Sequence, residues 1–397
     1  MNTFHLAERL PLLRLAFRPF FLLGALYSIL AMLAWLAFWH GNLWITPYGG
    51  MLWWHQHEML FGFGSAVIGG FLLTAVQNWT GRPSLSGWPL FGLVVVWLGG
   101  RVLLAYPGPL PLLAIALIDL AFLPLVAIVM AKLVIVARLW RNLLFVAILL
   151  LLTAANAAMH LGVINGNGVL IRDASHLTVL LITLLMVVMG GRVIPFFTSR
   201  KLGLTAPPKV ITVERFSLIS MTLVVALQLF LTLSEWRADI LMAVLMLVAG
   251  VANGWRLTHW QGIHSLQEPL LWGLHLSYGF IAIGLVLWAW QLVAGQRVET
   301  ALHALAIGSM GTMMLAMMAR VSLGHTGRVI RTLPGIGLAL AGLLLAAALR
   351  SLWLVMFPHT SHWVYGLVII IWCASYLVFV IHYSLPLLTA RPDGKQG

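Results

Sequence analysis

The sequence predicts an all-α polytopic membrane protein of about twelve transmembrane helices. Three observations predict it. Of 397 residues, 61% are hydrophobic and only 8% are charged, a balance foreign to ordinary soluble domains. Apolar runs of about twenty residues, long enough for a helix to cross the hydrocarbon, recur along the whole chain. Lys and Arg gather at alternate breaks between those runs, as the positive-inside rule requires.

Taken in order, the first span is expected at 16–39. The polar start MNTFHLAERLPLLRLAFRPF runs straight into it, so no cleavable signal peptide is expected. Spans at 57–78 and 88–106 are divided by GRPSLSG, and YPGPLP precedes one at 111–136. The next two, 142–162 and 174–197, flank NGNG. APPK precedes 214–233, after which come 238–259 and 269–292. The last three are 300–322, 335–356 behind RTLPGIG, and 362–388, before a short cytoplasmic tail at 389–397. The quoted breaks concentrate the residues that end helices and make turns.

With the N-terminus placed in the cytoplasm, eighteen of the 23 Lys and Arg fall at inner positions. Arg101, Arg172, Arg237, Arg297 and Arg350 fall outside. This asymmetry supports an even span count with both termini cytoplasmic. It also explains the net charge of +13 by topology, with the lipid bilayer and not nucleic acid as the partner. The single cysteine, Cys373, excludes a disulfide framework, a Cys-based metal site and covalent haem attachment.

One pattern occurs three times. HEMLFGFGSAVIGGFLLTAVQNWTGR starts at His57, HLTVLLITLLMVVMGGRVIPFFTSR at His176 and HALAIGSMGTMMLAMMARVSLGHTGR at His303. His57 and His303 each stand 23 residues before the Thr of a Thr-x-Arg, and His176 stands 22 before its own. Arg192-Val193 and Arg320-Val321 share a register in the last two copies. The chain therefore reads as one integral membrane domain of three four-helix repeats, about 16–136, 142–259 and 269–388.

Each repeat histidine is expected at a helix N-terminus near the outer face, where the dipole disfavours imidazolium. Neutral imidazole is the form that ligates metals. His55, His57, His160, His176 and His303 make a converging donor supply for a metal or a non-covalent haem, against the plainer reading of interfacial side chains bonded to water or backbone. His55 and His57 should point nearly opposite ways on one helix. Glu58 is either an acceptor orienting a ligand or an acid favouring a helix start. Arg192 and Arg320 lie inside spans, where pairing with a haem propionate or steering an anion competes with snorkelling. Asp119 is an isolated intramembrane acid and a candidate for a proton path. The methionines from 310 to 318 are read as packing in preference to a copper channel.

FRPFF, the HQHEMLFGF stretch and MGGRVIPFFTSR resemble the NnrS family of bacterial inner-membrane proteins over nearly the whole chain. That resemblance implies haem, copper and a part in the response to nitric oxide. The layout of His on helices 2, 6 and 10 also resembles the catalytic subunit of haem–copper oxidases, but predicted helix 7 has no His, so oxygen reduction does not transfer. The leading expectation is a haem- and copper-binding inner-membrane protein that handles nitric oxide or limits nitrosative damage. In it His57 and His303 are axial haem ligands, while His55, His160 and His176 lie near a copper. Redox turnover on nitrogen species is left open. Without a Rossmann fingerprint, a quinol or a redox-protein electron donor is expected in place of NADH. The alternatives are a transporter or metal-trafficking protein using a histidine/arginine relay, and a scaffold for respiratory complexes.

Overall fold

The computed structural model describes residues 10–42, 45–205, 207, 209–234 and 236–395. Arg9, one of the eighteen inner cations, and the last two residues of the tail lie outside the described residues. Among the described residues there is no strand, and twelve helices are long and apolar enough to cross a membrane. They are α1 Phe17–Trp39, α2 Met51–Thr80, α3 Gly87–Ala105, α4 Leu112–Val136, α5 Trp140–Ile164 and α6 Gly168–Leu202. The rest are α7 Ile211–Leu233, α8 Asp239–Thr258, α9 Pro269–Val293, α10 Glu299–His325, α11 Ile336–Met356 and α12 Pro358–Leu388. The chain is a multi-pass membrane protein.

The helices that carry the repeat histidines are the most enclosed. In α2, α6 and α10, 83%, 83% and 78% of the central apolar window is buried, against 39–61% in the other nine. Two of them begin earlier than the hydropathy pattern suggests. Gly49 and Gly50 take φ of 71° and 80°, and this glycine turn lets α2 start at Met51. At α6, the Asn167 side-chain oxygen accepts the Leu170 backbone N–H at 3.0 Å, a side-chain cap on the first turn. His57 and His176 therefore lie well inside their helices, beyond reach of the N-terminal dipole, which fades within the first turn. The dipole argument for a neutral imidazole does not apply to them.

Three local irregularities shape the interior. α2 is π-helical over Glu58–Gly64 and α10 over Ala304–Gly311, in each case from the residue after a repeat histidine. π windows break the regular hydrogen-bond ladder and free carbonyls for other donors. α4 is interrupted at Ala121 between Leu112–Leu120 and Phe122–Val136. Pro124 has no N–H for the Leu120 carbonyl, so the helix is broken beside Asp119.

The chain divides into two compact units. The first holds 1–175, 318–330 and 376–397. Within it, a Cβ on Gly70 would fall 2.9 Å from the Phe20 Cβ, so α1 and α2 meet at a glycine. Arg18 is buried and donates from Nη1 to the carbonyls of Leu387 and Thr389 at 2.9 and 2.8 Å, tying the start of α1 to the end of α12. The second unit holds 176–317 and 331–375. Within it a Cβ on Gly250 of α8 would lie 3.1 Å from the Ala282 carbonyl of α9. Met310, Met313 and Met314 are buried in its core, where flexible thioethers fill irregular space.

Candidate metal centre

Four helices of the first unit converge on one buried polar cluster. Trp97 and Arg101 are one turn apart on α3, and Asn156 and His160 are one turn apart on α5, so each pair shares a helix face. α2 contributes His57 and Glu58, and Asp119 comes from the broken joint of α4. A Cβ on Gly100 would lie 2.9 Å from Asp119 Oδ1; the glycine lets α3 approach that joint.

The two histidines present Nε2 to the same carboxylate oxygen. Asp119 Oδ2 lies 3.2 Å from His57 Nε2 and 3.1 Å from His160 Nε2. It also accepts Asn156 Nδ2–H at 2.8 Å. The outer nitrogens are held as well: His57 Nδ1 meets Glu58 Oε1 at 2.8 Å, and His160 Nδ1 meets the Tyr48 hydroxyl at 3.2 Å. Trp53 stacks on the His57 ring at a centroid distance of 4.5 Å. Arg101 closes the far side. It donates to Asp119 Oδ1, sets Nε 3.0 Å from Glu58 Oε2 and donates from Nη1 to the Phe61 carbonyl at 2.6 Å. Tyr27 donates its hydroxyl to Glu58. The Phe61 and Gly62 carbonyls lie in the π window of α2, and Trp97 Nε1–H takes the second at 3.0 Å.

The charge count is the physical heart of the site. Two carboxylates and one guanidinium are withdrawn from solvent, with side-chain exposures of 0–4% for Glu58, Asp119 and Arg101. With neutral imidazoles the cluster carries one excess negative charge, and buried charge demands a partner. A cation held between the imidazoles, either a proton or a metal ion, supplies it. Tyr48, in the loop ahead of α2, registers the same field: burial and the Asp119 carboxylate push its phenol up to about 12.

The donors suit a metal. One ligand atom each from His57, Asp119 and His160 lies within 4.8 Å of the others. Donors bound at about 2.0–2.1 Å around a tetrahedral ion stand about 3.3–3.4 Å apart, close to the spacings at Asp119. Glu58 on His57 and Tyr48 on His160 are the outer partners that orient metal-bound imidazoles. Two imidazoles and a carboxylate suit copper, zinc or iron(II), and nitrogen–oxygen sites favour Cu²⁺ among divalent ions. Beside Asp119 and Arg101 is a cavity of about 10 Å³, room for about one water.

The remaining sequence-derived candidates are placed elsewhere. His55 leaves the cluster, as its spacing from His57 requires, and stacks on Trp35 at 4.3 Å. In the second unit His176 lies edge-on to Trp288 at 5.1 Å, and His303 Nδ1–H donates to the Glu299 carbonyl at 2.6 Å. Arg192, within α6, is exposed on the wall of a pocket of that unit. Arg320 is buried. Asp119 is not isolated: it is the hub of the cluster. Arg101, counted above as an outer topological charge, is its buried counter-ion. Asn156 was missed, though its one-turn spacing from His160 is a visible signal.

A family model described as NnrS protein matches residues 11–391 of the chain. No curated protein matches it.

Proposed function

Because the chain belongs to the NnrS protein family, we propose that it is a copper- and haem-binding protein of the bacterial inner membrane, acting in the response to nitric oxide. Both termini are placed in the cytoplasm. The observation that carries the copper half is the buried, negatively charged His57–Asp119–His160 set. Copper there would supply one-electron redox chemistry and a binding position for a diatomic such as nitric oxide. The protein's own residues do the rest. Glu58 and Tyr48 orient the two imidazoles, Arg101 and Asn156 hold Asp119, and Trp53 packs over His57 and limits water.

The haem half rests on the family resemblance. His57 is given to the copper in this reading, because its Nε2 faces Asp119 Oδ2 together with His160 Nε2 and Trp53 is stacked on its ring. His303 is retained for haem: donation from Nδ1 makes Nε2 its lone-pair nitrogen. A quinol or a redox protein is the proposed electron donor.

Metal and haem analysis of purified variants tests this. His57→Ala and His160→Ala should each lose stoichiometric copper while His303→Ala keeps it, and His303→Ala should lose the Soret band. Glu58→Gln should bind copper about 10–100-fold more weakly. Full copper in His160→Ala would defeat the assignment. Cells carrying His160→Ala should also lose protection against added nitric oxide.

One observation favours a second reading, a transporter or metal-trafficking protein with a relay of polar groups. Tyr48, His160, Asp119, His57, Glu58 and Tyr27 form one continuous buried chain. Metal flux into proteoliposomes that is lost in His57→Ala and in Asp119→Asn, from wild-type protein that retains no stoichiometric copper, would select it.

A further inference from the structure

Three segments of the first unit meet at the boundary where α1 begins and α10 and α12 end. These termini share one membrane boundary, because successive spans alternate in direction. Each segment brings arginine. Arg14 closes the 3-10 turn Pro11–Leu13 ahead of α1, and Arg18 belongs to the FRPFF stretch that opens α1. Arg328 ends the third Thr-x-Arg motif, just after α10, and Arg391 follows α12. Their side chains interlock. Arg18 holds carbonyls at the end of α12. Arg328 donates from Nη2 to the Thr389 hydroxyl at 2.8 Å and from Nη1 to the Thr326 carbonyl at 3.3 Å. Arg391 Nη1 donates to the His325 carbonyl at 3.1 Å. Gly327 permits this approach: its φ is 70°, and a Cβ there would lie 3.1 Å from Arg391 Nε.

The charge is unbalanced. Asp393 accepts from Nε and Nη2 of Arg391 at 2.9 and 2.6 Å, which neutralises that arginine. Among the described residues no carboxylate pairs with Arg14 or Arg328. Their charges both act on Arg18, so they stand in one field. Even with Arg18 left out of the count, two guanidinium charges converge without a carboxylate, and like charges repel. Both side chains are half-buried and so within reach of a ligand. Leu10, Val329 and Leu388 are exposed apolar side chains on the same three segments.

We propose that this arginine cluster binds the phosphate of an anionic phospholipid headgroup, with Arg14 and Arg328 contacting its oxygens and Leu10, Val329 and Leu388 meeting the apolar part of the lipid. Guanidinium groups recognise phosphate oxygens, and basic residues at a membrane boundary meet anionic headgroups there. Cations that only set topology need no convergence; these are drawn together from segments more than 300 residues apart at the extremes. Free phosphate shares the oxygen chemistry, but the exposed apolar side chains have no use for it. The site shares no residue with the metal centre.

Full-length protein is reconstituted in phosphatidylcholine nanodiscs with and without phosphatidylglycerol, and inorganic phosphate is titrated into the set without it. Thermal unfolding and the phosphatidylglycerol retained per protein are read out, each variant compared with itself across the two lipids. Wild type should gain Tm with phosphatidylglycerol. Arg14→Gln/Arg328→Gln should lose the gain and bind at least about tenfold more weakly, the effect of roughly one charge-assisted hydrogen bond. Arg14→Lys/Arg328→Lys, which keeps both charges, should retain most of the gain. Arg82→Gln/Lys132→Gln removes the same charge at the same boundary and should retain it in full. A gain with inorganic phosphate alone as large as that with phosphatidylglycerol would transfer the site to the free anion and overturn the lipid assignment. No gain in wild type, or equal losses in the two Gln pairs, would overturn the proposal altogether.

Discussion

Arg101→Met should cost about 3–5 kcal/mol of stability, the penalty for leaving buried charge without its partner. Arg101 is 4% exposed and faces both Glu58 and Asp119; methionine fills its space but leaves two carboxylates in a site closed to water. Denaturation in mixed detergent micelles reads the loss. Arg172→Met is the control, because that arginine is 54% exposed beside Asp173; a change within about 0.5 kcal/mol is expected. Adding Glu58→Gln and Asp119→Asn to Arg101→Met should recover much of the loss, since removing both sides of a buried pair costs far less than removing one. An Arg101→Met protein as stable as wild type would mean that the cluster is solvated.

Gly191→Ala should be the most damaging small substitution in the second unit. The added Cβ would fall on the Arg256 guanidinium, which cannot retreat because Glu214, Tyr278 and the Val187 carbonyl hold it. Overpacking and displacement of the ion pair together should cost about 3 kcal/mol. The same change at Gly92 in α3, where a Cβ meets nothing within 4 Å, should instead stabilise by about 0.5–1 kcal/mol through helix propensity. Gly191→Ala with Arg256→Met should cost less than the sum of the two single changes, the mark of residues in contact. Equal effects at Gly191 and Gly92 would contradict the close passage of Arg256 across α6.

The spans are legible in the sequence because apolar run length is a local property, and Pro- and Gly-rich breaks delimit the runs. Their starts at α2 and α6 are less so. A glycine turn and an Asn cap extend those helices beyond the apolar run, and neither alters hydropathy. At the site, His57 and His160 stand out as histidines beside apolar runs, and Glu58 as an acid next to one. The connections do not stand out. Asn156 meets His57 across 99 residues of sequence, and Asp119 meets His160 across 41. Arg101 misleads because charge counting assigns every cation near a helix end to topology, whereas this one is turned inward by α3 packing at Gly100. Without a paired view, Asp119 reads as solitary and Arg101 as peripheral, although they neutralise each other.

The most direct test of the buried metal centre is copper-edge X-ray absorption on the copper-loaded protein, compared with His160→Ala. The account predicts imidazole scattering from two histidines with an oxygen neighbour in wild type, and loss of the bound-copper signal in the variant. Sulfur-dominated scattering, or spectra that do not change when His160 is removed, would contradict it.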